Sequence, residues 1–541
     1  MSERSRILNT LKTNFNPQLI VIGGGITGAG IFLDAQSRGI NTILIEKDDF
    51  AEGTSSRSTK LIHGGLRYLK QLDFKVVRDT GRERQIVRKI APHITHEIRV
   101  RLPIQREGSL GKFSTKIALM MYEFLANVDE EDEHRKFTKT DLVNEDGLDP
   151  VGLKGAYDYL EYQTDDSRLV IENIKKGVEI GGLAINNCQA VSFEHDDKGQ
   201  IEGLHVVDCL TKEKIYIECP HVISATGPWV DEVCRLEDVS KPDKLTLTKG
   251  VHIVFRNSDF PLSNAYYFDT DNGRMIFAIP YQDVTYVGTT DTIYKDKIED
   301  VRVSKADVDY LLKNVNARFT RQLRADQIIS SWAGLRPLIQ QKGKGPSEIS
   351  RKDEIFKSDT GLYSIAGGKL TGYRVMANKV LEKVIQHFRI DAEPSWSDEL
   401  SLSGGAFTAD EYNKTFNDLV IKGIELGIDE KQVTFLFSKF GSNSFEVLNN
   451  INMYAKQFEA YQSDNCLLGA LHYCMEKEFV ISPCDFAIRR MGLLYFNPDL
   501  LENSKHDILK YMRSYFSWSD EQLRTYLDEL NEQIHRSKNF N

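Results

Sequence analysis

At 541 residues the chain can bury two or more hydrophobic cores, because single domains run to roughly 100–200 residues. Hydrophobic residues make up 41% and charged residues 27%, the balance of a folded globular protein and not of a disordered one. With 69 basic and 79 acidic residues the net charge is −10, which argues against nucleic acid as the main partner.

The N-terminal segment, MSERSRILNTLKTNFNP, carries charge but no apolar run long enough for a signal peptide. The longest apolar stretch, Leu19–Leu33, is rich in glycine and shorter than the roughly twenty residues of a membrane span. Seven scattered cysteines without a C-x-x-C pair do not read as a disulfide framework, so a reducing cytoplasm is the expected setting.

Leu19–Glu46 reads as strand, glycine turn, helix and second strand. Gly23, Gly25 and Gly28 fall on the G-x-G-x-x-G spacing, which serves a tight turn, a pyrophosphate against bare backbone, and close helix–strand contact. A helix beginning near Ile26 would meet the phosphates with its free N–H groups and positive dipole end. Glu46 ends the second strand about twenty residues on, placed to accept ribose hydroxyls. This combination predicts a dinucleotide site and leaves NAD and FAD unseparated.

Gly53–Thr59 reads as a loop, Thr59–Lys70 as the start of a helix broken by Gly64–Gly65, and Lys75–Lys89 as a helix closed by Pro92. His93 and His96 have the three-residue spacing of a helical ligand pair, but no cysteine or carboxylate completes a set, and no metal site is expected. Leu110–Val128 is amphipathic: either a helix on a core or a surface that dips into a bilayer. Further strands are expected at Tyr157–Tyr162, Ala190–Phe193, Gly203–Asp208 and His221–Thr226, the last returning to the opening sheet, with a helix at Arg168–Glu179. Residues 245–295 alternate as an antiparallel sheet, AGLRP follows a strand-like segment, and Gly361–Ala366 is a last strand before a helix through Tyr373–Phe388. Beyond about Asp391 the pattern is a linker and then helices.

The motifs GGGITGAG, GTSSRSTKLIHGGLRYL, ATGPWVD, TKGVHIV, VGTTDT, SSWAGLRPL, SEISRKDEI and IAGGKLTGYR occur in one order along nearly the whole chain. Together they resemble the FAD-dependent glycerol-3-phosphate dehydrogenases, within the D-amino-acid-oxidase-like flavoproteins. The resemblance implies an α/β fold: a Rossmann-type FAD-binding domain with an antiparallel-sheet substrate domain and a helical C-terminal domain. The expected division is 1–90 with 155–240 and 330–390 for FAD, 91–154 and 241–329 for the substrate domain, a linker at 391–405, and helices over 406–541.

It further implies FAD, oxidation of sn-glycerol 3-phosphate to dihydroxyacetone phosphate, and electron transfer to membrane quinone. No cysteine precedes Cys188, so non-covalent FAD is expected, with attachment through a histidine left open. The expected location is the cytoplasmic face of the cell membrane, attached peripherally, with no nucleic-acid partner and a homodimer left open. By the same resemblance Arg67, Tyr68, Arg336 and Arg351 contact substrate, the arginines suiting a phosphate because their planar forks bond two oxygens at once. His252 is the expected general base, since a free imidazole with a pKa near 6.5 accepts a proton at neutral pH; the alternative is that the arginines share the task by stabilising an alkoxide as the hydride leaves. Lys369 adds positive charge for flavin or substrate, and Arg336 and Lys369 join His252 as catalytic residues.

For the cofactor the resemblance adds Ile26, Thr27 and Lys47 beside the glycine turn, and Thr54, Ser55, Ser56, Ser58 and Lys60 in the following loop. It also adds His63, Gly64 and Gly65 over the flavin, and Ala190, Val191, Thr226, Gly227 and Trp229 from the middle of the chain. Gly334, Gly367, Gly368, Lys369, Leu370 and Thr371 complete that set, the glycines admitting backbone N–H groups to a reduced flavin's charge. Oxidases that resemble this group carry an added stretch between GLRPL and ISR. Here the connection is only IQQKGKGPSE, which favours the dehydrogenase over an oxygen-using oxidase.

Overall fold

The computed structural model describes residues 3–13, 15–65, 73–106, 111–145, 147–270, 273–340 and 353–540. Arg67, Tyr68 and Arg351 lie outside the described residues.

The opening strand, Leu19–Ile22, is wholly buried and sits mid-sheet, parallel to Thr42–Ile45 on one side and Val222–Ser224 on the other. Leu183–Ile185 and Tyr363–Ala366 extend the sheet in parallel, and Glu354–Lys357 closes one edge antiparallel. Burial on both faces explains why these strands are continuous apolar runs without alternation. Leu19 and Val21 face a helical layer, Ile26–Ser37 flanked by Asp166–Glu179 and Tyr373–Phe388. Ile20 and Ile22 face a small antiparallel sheet of Cys188–His195, Ile201–Asp208 and Lys214–Glu218. The helix Ile26–Ser37 is apolar nearly all round because it is enclosed by these neighbours.

A second, larger sheet lies beside the first. Its path runs Thr292–Ile293, Leu245–Arg256, Val284–Gly288, Met275–Tyr281, Ala265–Asp269, Thr95–Gln105, Leu153–Thr164 and Leu61–Ile62. Ile328–Ile339 pairs on the outer side of Leu245–Arg256, and Arg135–Phe137 pairs with Leu153–Thr164. The 245–295 region is antiparallel as expected, but Ala265–Asp269 runs parallel to Thr95–Gln105. Two readings are corrected. Leu61–Ile62 is a short strand paired with Gln163 and Tyr162, not the start of a helix. AGLRP does not follow a strand but is part of one, Ile328–Ile339. His96 sits on the strand Thr95–Gln105 and not on a helix, and among the described residues no metal-binding cluster forms.

The helices Phe74–Ile90 and Lys112–Ala126 cover one face of this sheet, and Lys305–Asn316 covers part of it elsewhere. From Ala409 on the chain is helical, and its core is continuous with the sheet through Trp332, whose ring lies 5.2 Å from Tyr495 and 5.9 Å from Phe496.

Candidate functional site

The parallel sheet ends in a cleft at the carboxyl ends of its strands, where ligands of open α/β sheets bind. The glycine turn forms its floor. Gly23 has φ +107, and a Cβ there would lie 2.7 Å from the Ala225 carbonyl oxygen, so only glycine can turn the chain at that point. Gly28 is held by proximity alone, since its Cβ would come within 1.8 Å of the Gly23 carbonyl oxygen. Gly25 differs: its nearest neighbour is Ser55 Oγ at 3.2 Å, and it lines the cleft at the head of the helix Ile26–Ser37. The N-cap residue Gly25 has no side chain to cap that helix end, and of its N–H groups that of Ile26 donates to Ser55 Oγ at 2.9 Å. A positive helix end facing open space suits a diphosphate.

Glu46 accepts from the Gly24 N–H at 2.6 Å and from the Asp48 N–H at 2.9 Å, one oxygen each. Burial pushes its carboxyl up to about 7, against the pull of those two amides. Each oxygen keeps a lone pair for a ribose hydroxyl. Outside it, Lys47 lies 4.3 Å over the Trp229 ring, and Glu299 accepts from both Trp229 Nε1 and Lys47 Nζ.

Of the expected cofactor residues, the cleft is lined by Gly23, Gly25, Ile26, Thr27, Glu46, Lys47, Thr54, Ser55, Ala190, Thr226, Gly227, Trp229, Gly367, Gly368, Lys369 and Leu370. Gly28 lies beneath it. His63 and Thr371 meet one another: the His63 N–H donates to Thr371 Oγ1 at 3.1 Å, and that hydroxyl donates back to the His63 carbonyl at 3.2 Å. Thr371 begins no helix directly, because a 3₁₀ turn at Leu370–Gly372 precedes the helix Tyr373–Phe388. Gly64 donates its N–H to Glu161 and leaves no room beside Tyr122, and Gly65 has φ +78. Ser56, Ser58 and Lys60 turn inward, with Lys60 buried in an ion pair with Asp166, and Ser58 donating its N–H to Asp166 at 3.0 Å. Val191 sits on the strand Cys188–His195 and Gly334 under Arg57, both off the cleft lining.

The cleft also takes in Asp48, Glu52, Gln189, Glu232 and Pro337, which the sequence reading missed. Asp48 and Glu52 were within reach of the Glu46 signal, but Gln189 and Pro337 become neighbours only through the sheet topology.

The strand Leu245–Arg256 carries the second half of the site. His252 stands opposite Gly288 and Trp332 in register, and Gly250 opposite Gly334. A Cβ at Gly288 would strike the His252 ring at 2.2 Å, and one at Gly250 the Arg336 guanidinium at 2.3 Å. Two glycines thus open the space that a histidine and an arginine fill on one sheet face. The Arg336 guanidinium donates to Thr289 Oγ1 at 2.8 Å and to the Thr290 carbonyl at 3.1 Å, with Asp291 at 3.4 Å. His252 is 1% exposed and stacks on Trp332 at 4.8 Å, and its Nε2 lies 3.0 Å from the half-buried Thr59 hydroxyl. Burial above all, then the charges of Arg336 and Lys60, hold its pKa well below the ordinary 6.5, so the ring is neutral at physiological pH. The cleft residue Thr54 donates to the Leu335 carbonyl at 2.6 Å, joining the cleft to the strand that bears Arg336.

Residues 18–373 match the family described as FAD dependent oxidoreductase, and residues 395–523 match the family described as C-terminal domain of alpha-glycerophosphate oxidase. The chain is 42% identical to an aerobic glycerol-3-phosphate dehydrogenase of Bacillus subtilis (strain 168), covering 98% of this chain and 97% of that one. It is 42% identical to the protein of that name from Staphylococcus aureus (strain MRSA252), covering 100% and 98%. Its fold is similar to the crystal structure of a glycerol-3-phosphate dehydrogenase from Bacillus halodurans complexed with FAD, with a TM-score of 0.86, 39% identity, and 99% and 98% of the two chains covered.

Proposed function

The chain belongs to the FAD-dependent oxidoreductases, as a relative of the aerobic glycerol-3-phosphate dehydrogenases, and from that membership we propose that it oxidises sn-glycerol 3-phosphate to dihydroxyacetone phosphate. The observation that carries the reading is the pairing of an anion-ready dinucleotide cleft with a glycine-cleared sheet face bearing Arg336 and His252. FAD, when bound, supplies the hydride acceptor. The chain's own residues do the rest. Arg336 and Arg351 hold the phosphate dianion, and Arg67 and Tyr68 contact the substrate beside them. His252 takes the hydroxyl proton; its Nε2 lies 3.0 Å from the Thr59 hydroxyl. Lys369, at the rim where Gly367 and Gly368 expose backbone, offsets negative charge that develops on reduction.

Adding glycerol 3-phosphate to purified protein without oxygen should bleach the flavin absorbance. A yellow protein that substrate leaves unbleached would sink the assignment. For the electrons, we read membrane quinone as the acceptor and the cytoplasmic membrane face as the location. The match of residues 395–523 to an oxidase C-terminal domain keeps oxygen as the rival. Stoichiometric hydrogen peroxide under air, with little rate on quinone analogues, would decide for it.

The proposed attachment to the membrane has a structural candidate. Among the described residues no helix is long and apolar enough to cross a bilayer. The helix Lys112–Ala126 turns Thr115, Leu119, Tyr122 and Ala126 inward, yet Phe113 is 77% and Phe124 83% exposed, with Ile117 and Met120 between them. Large apolar side chains in a contiguous exposed row mark an interaction surface. Replacing Phe113, Ile117 and Phe124 by serine should release the protein from lipid vesicles in a sedimentation assay. Turnover with a soluble acceptor should stay at the wild-type level. Unaltered sedimentation would refute the assignment of this face.

His252→Ala is expected to slow the chemical step about 10²-fold or more, the usual contribution of a positioned general base. Because the folded pKa lies well below 6.5, the wild-type acid limb of kcat should fall below pH 6.5, and the variant should lack it. The same shift withdraws stability as pH drops below about 6.5, where the unfolded imidazole binds a proton that the folded one refuses. An unchanged pH profile in the variant would exclude the base role.

A further inference from the structure

The wall of the cleft between Glu46 and Ser55 is backed by residues that come from the far end of the chain. Ala51 donates its N–H to the Gly24 carbonyl at 3.0 Å, and Phe50 lies so close to Gly24 that a Cβ there would meet its ring at 2.5 Å. The other side of Phe50 packs edge-on against Phe479, with ring centroids 5.3 Å apart. Beside it the Asp49 carboxylate, 3% exposed, receives both arms of Arg490 at 2.7 and 2.8 Å and the Nε of Arg489. Arg489 also pairs with Glu52, which lines the cleft. Asn186 donates to Asp49 at 3.0 Å, and Arg490 donates to the Glu478 carbonyl at 2.6 Å, so the guanidinium is fixed on both sides. Burial opposes ionisation of Asp49, but the two arginines outweigh it and hold its carboxyl down to about 2, so it is charged throughout the physiological range.

A second attachment grips the far end of the same loop. Lys439 donates to Asp165 at 2.6 Å, and the adjoining Asp166 pairs with Lys60 and accepts from the Ser58 N–H. Both attachments start on helices beyond residue 409; the first ends on the loop that lines the cleft, at Asp49 and Glu52, and the second reaches the far end of that loop through Asp165 and Asp166. The Arg489 and Arg490 ion pairs terminate on the ligand-facing loop itself, at Asp49 and Glu52, and not merely between two packed regions.

We propose that Arg489 and Arg490 are positioning residues for FAD: through Asp49, Phe50 and Glu52 the helical C-terminal region holds the glycine turn and its facing loop in the shape that admits the diphosphate. The inference rests on membership of the FAD-dependent family and is independent of which alcohol is oxidised. Without Arg489, Asp49 keeps only the Arg490 cation and the cleft residue Glu52 loses that partner, so the loop would relax and carry the Gly24 side of the turn with it.

The test uses full-length protein stripped of FAD and titrated back, with affinity read from flavin fluorescence and melting temperature read on the apoproteins. Arg489→Gln should raise the FAD dissociation constant at least about tenfold, equivalent to about 1.4 kcal/mol. Arg489→Lys, which keeps the charge, should restore most of the affinity. Leu468→Ala, a core substitution at a fully buried site of the same helical region, should lower the melting temperature while leaving FAD affinity near wild type. Wild-type affinity in Arg489→Gln, or equal loss in Leu468→Ala, would overturn the proposal. If Arg489→Gln yields no folded protein, Phe479→Leu, which removes the ring contact to Phe50, replaces it in the same comparison with the same two deciding results. A wild-type chain with no FAD affinity would overturn the cofactor reading itself, a result distinct from a variant whose affinity is unaltered.

Discussion

Arg336→Ala is expected to raise KM for glycerol 3-phosphate at least about a hundredfold while leaving FAD content at the wild-type level. A guanidinium that meets a phosphate with both arms gives up two charge-assisted hydrogen bonds on truncation, each worth roughly 1.5–3 kcal/mol. Local geometry favours this position over a surface salt bridge. The side chain lies across Gly250, its arms reach Thr289, Thr290 and Asp291, and it shares a sheet face with His252. Asp291 stands at 3.4 Å and is a looser partner than a phosphate dianion would be. FAD content should not move, because Arg336 is absent from the cleft lining. Arg336→Lys should recover only part of the loss, since an ammonium keeps the charge without the planar fork. Steady-state KM together with the flavin-to-protein absorbance ratio checks both halves. Unchanged KM would refute the phosphate role, and lost flavin would show that the residue supports the cofactor instead.

The parts of this molecule that were legible in its sequence are the parts whose cause is local. The turn at Gly23–Gly28 could be read because strand, glycines, helix and acid follow one another within one βαβ unit, and the observed helix begins at Ile26 as the spacing required. The parallel strands showed as apolar runs because both faces are covered. Leu61–Ile62 could not be read, since its strand state comes from pairing with Tyr162 and Gln163 about a hundred positions later. Pro337 misled in the opposite sense. A proline argues against a strand, but Ile328–Ile339 pairs with a single neighbour among the described residues, and an edge strand tolerates the missing donor. In the site, the glycines of motif two residues before His252 and opposite it have meaning only once the register sets Gly288 against the imidazole. The resemblance pointed to His252 without that reason. Arg489 and Arg490 had no signal at all: a buried charge 440 positions from its partner is indistinguishable in sequence from a solvated one.

Gly28→Ala and Gly25→Ala should separate the two uses of glycine in the turn, and the first should be the more damaging. At Gly28 the added methyl would stand 1.8 Å from the Gly23 carbonyl oxygen, an atom fixed by the turn itself. Neither the strand nor the helix Ile26–Ser37 can retreat, because both lie in the buried core with Leu19, Val21, Ala29 and Phe32. Overpacking against side chains costs about 1–3 kcal/mol, and backbone offers less give than a side chain. Gly28→Ala should therefore melt several degrees lower and retain less than about a tenth of the wild-type FAD. At Gly25 the methyl would meet only Ser55 Oγ at 3.2 Å, a hydroxyl that can rotate aside. That variant should fold with a near-native melting temperature and yet bind FAD weakly, because its methyl occupies cleft space at the helix N-terminus where the diphosphate must lie. Melting curves set beside flavin occupancy distinguish the two. If Gly25→Ala bound FAD as tightly as wild type, the diphosphate could not rest on that backbone. If Gly28→Ala kept both its flavin and its melting temperature, helix and strand would have to separate more readily than this packing allows.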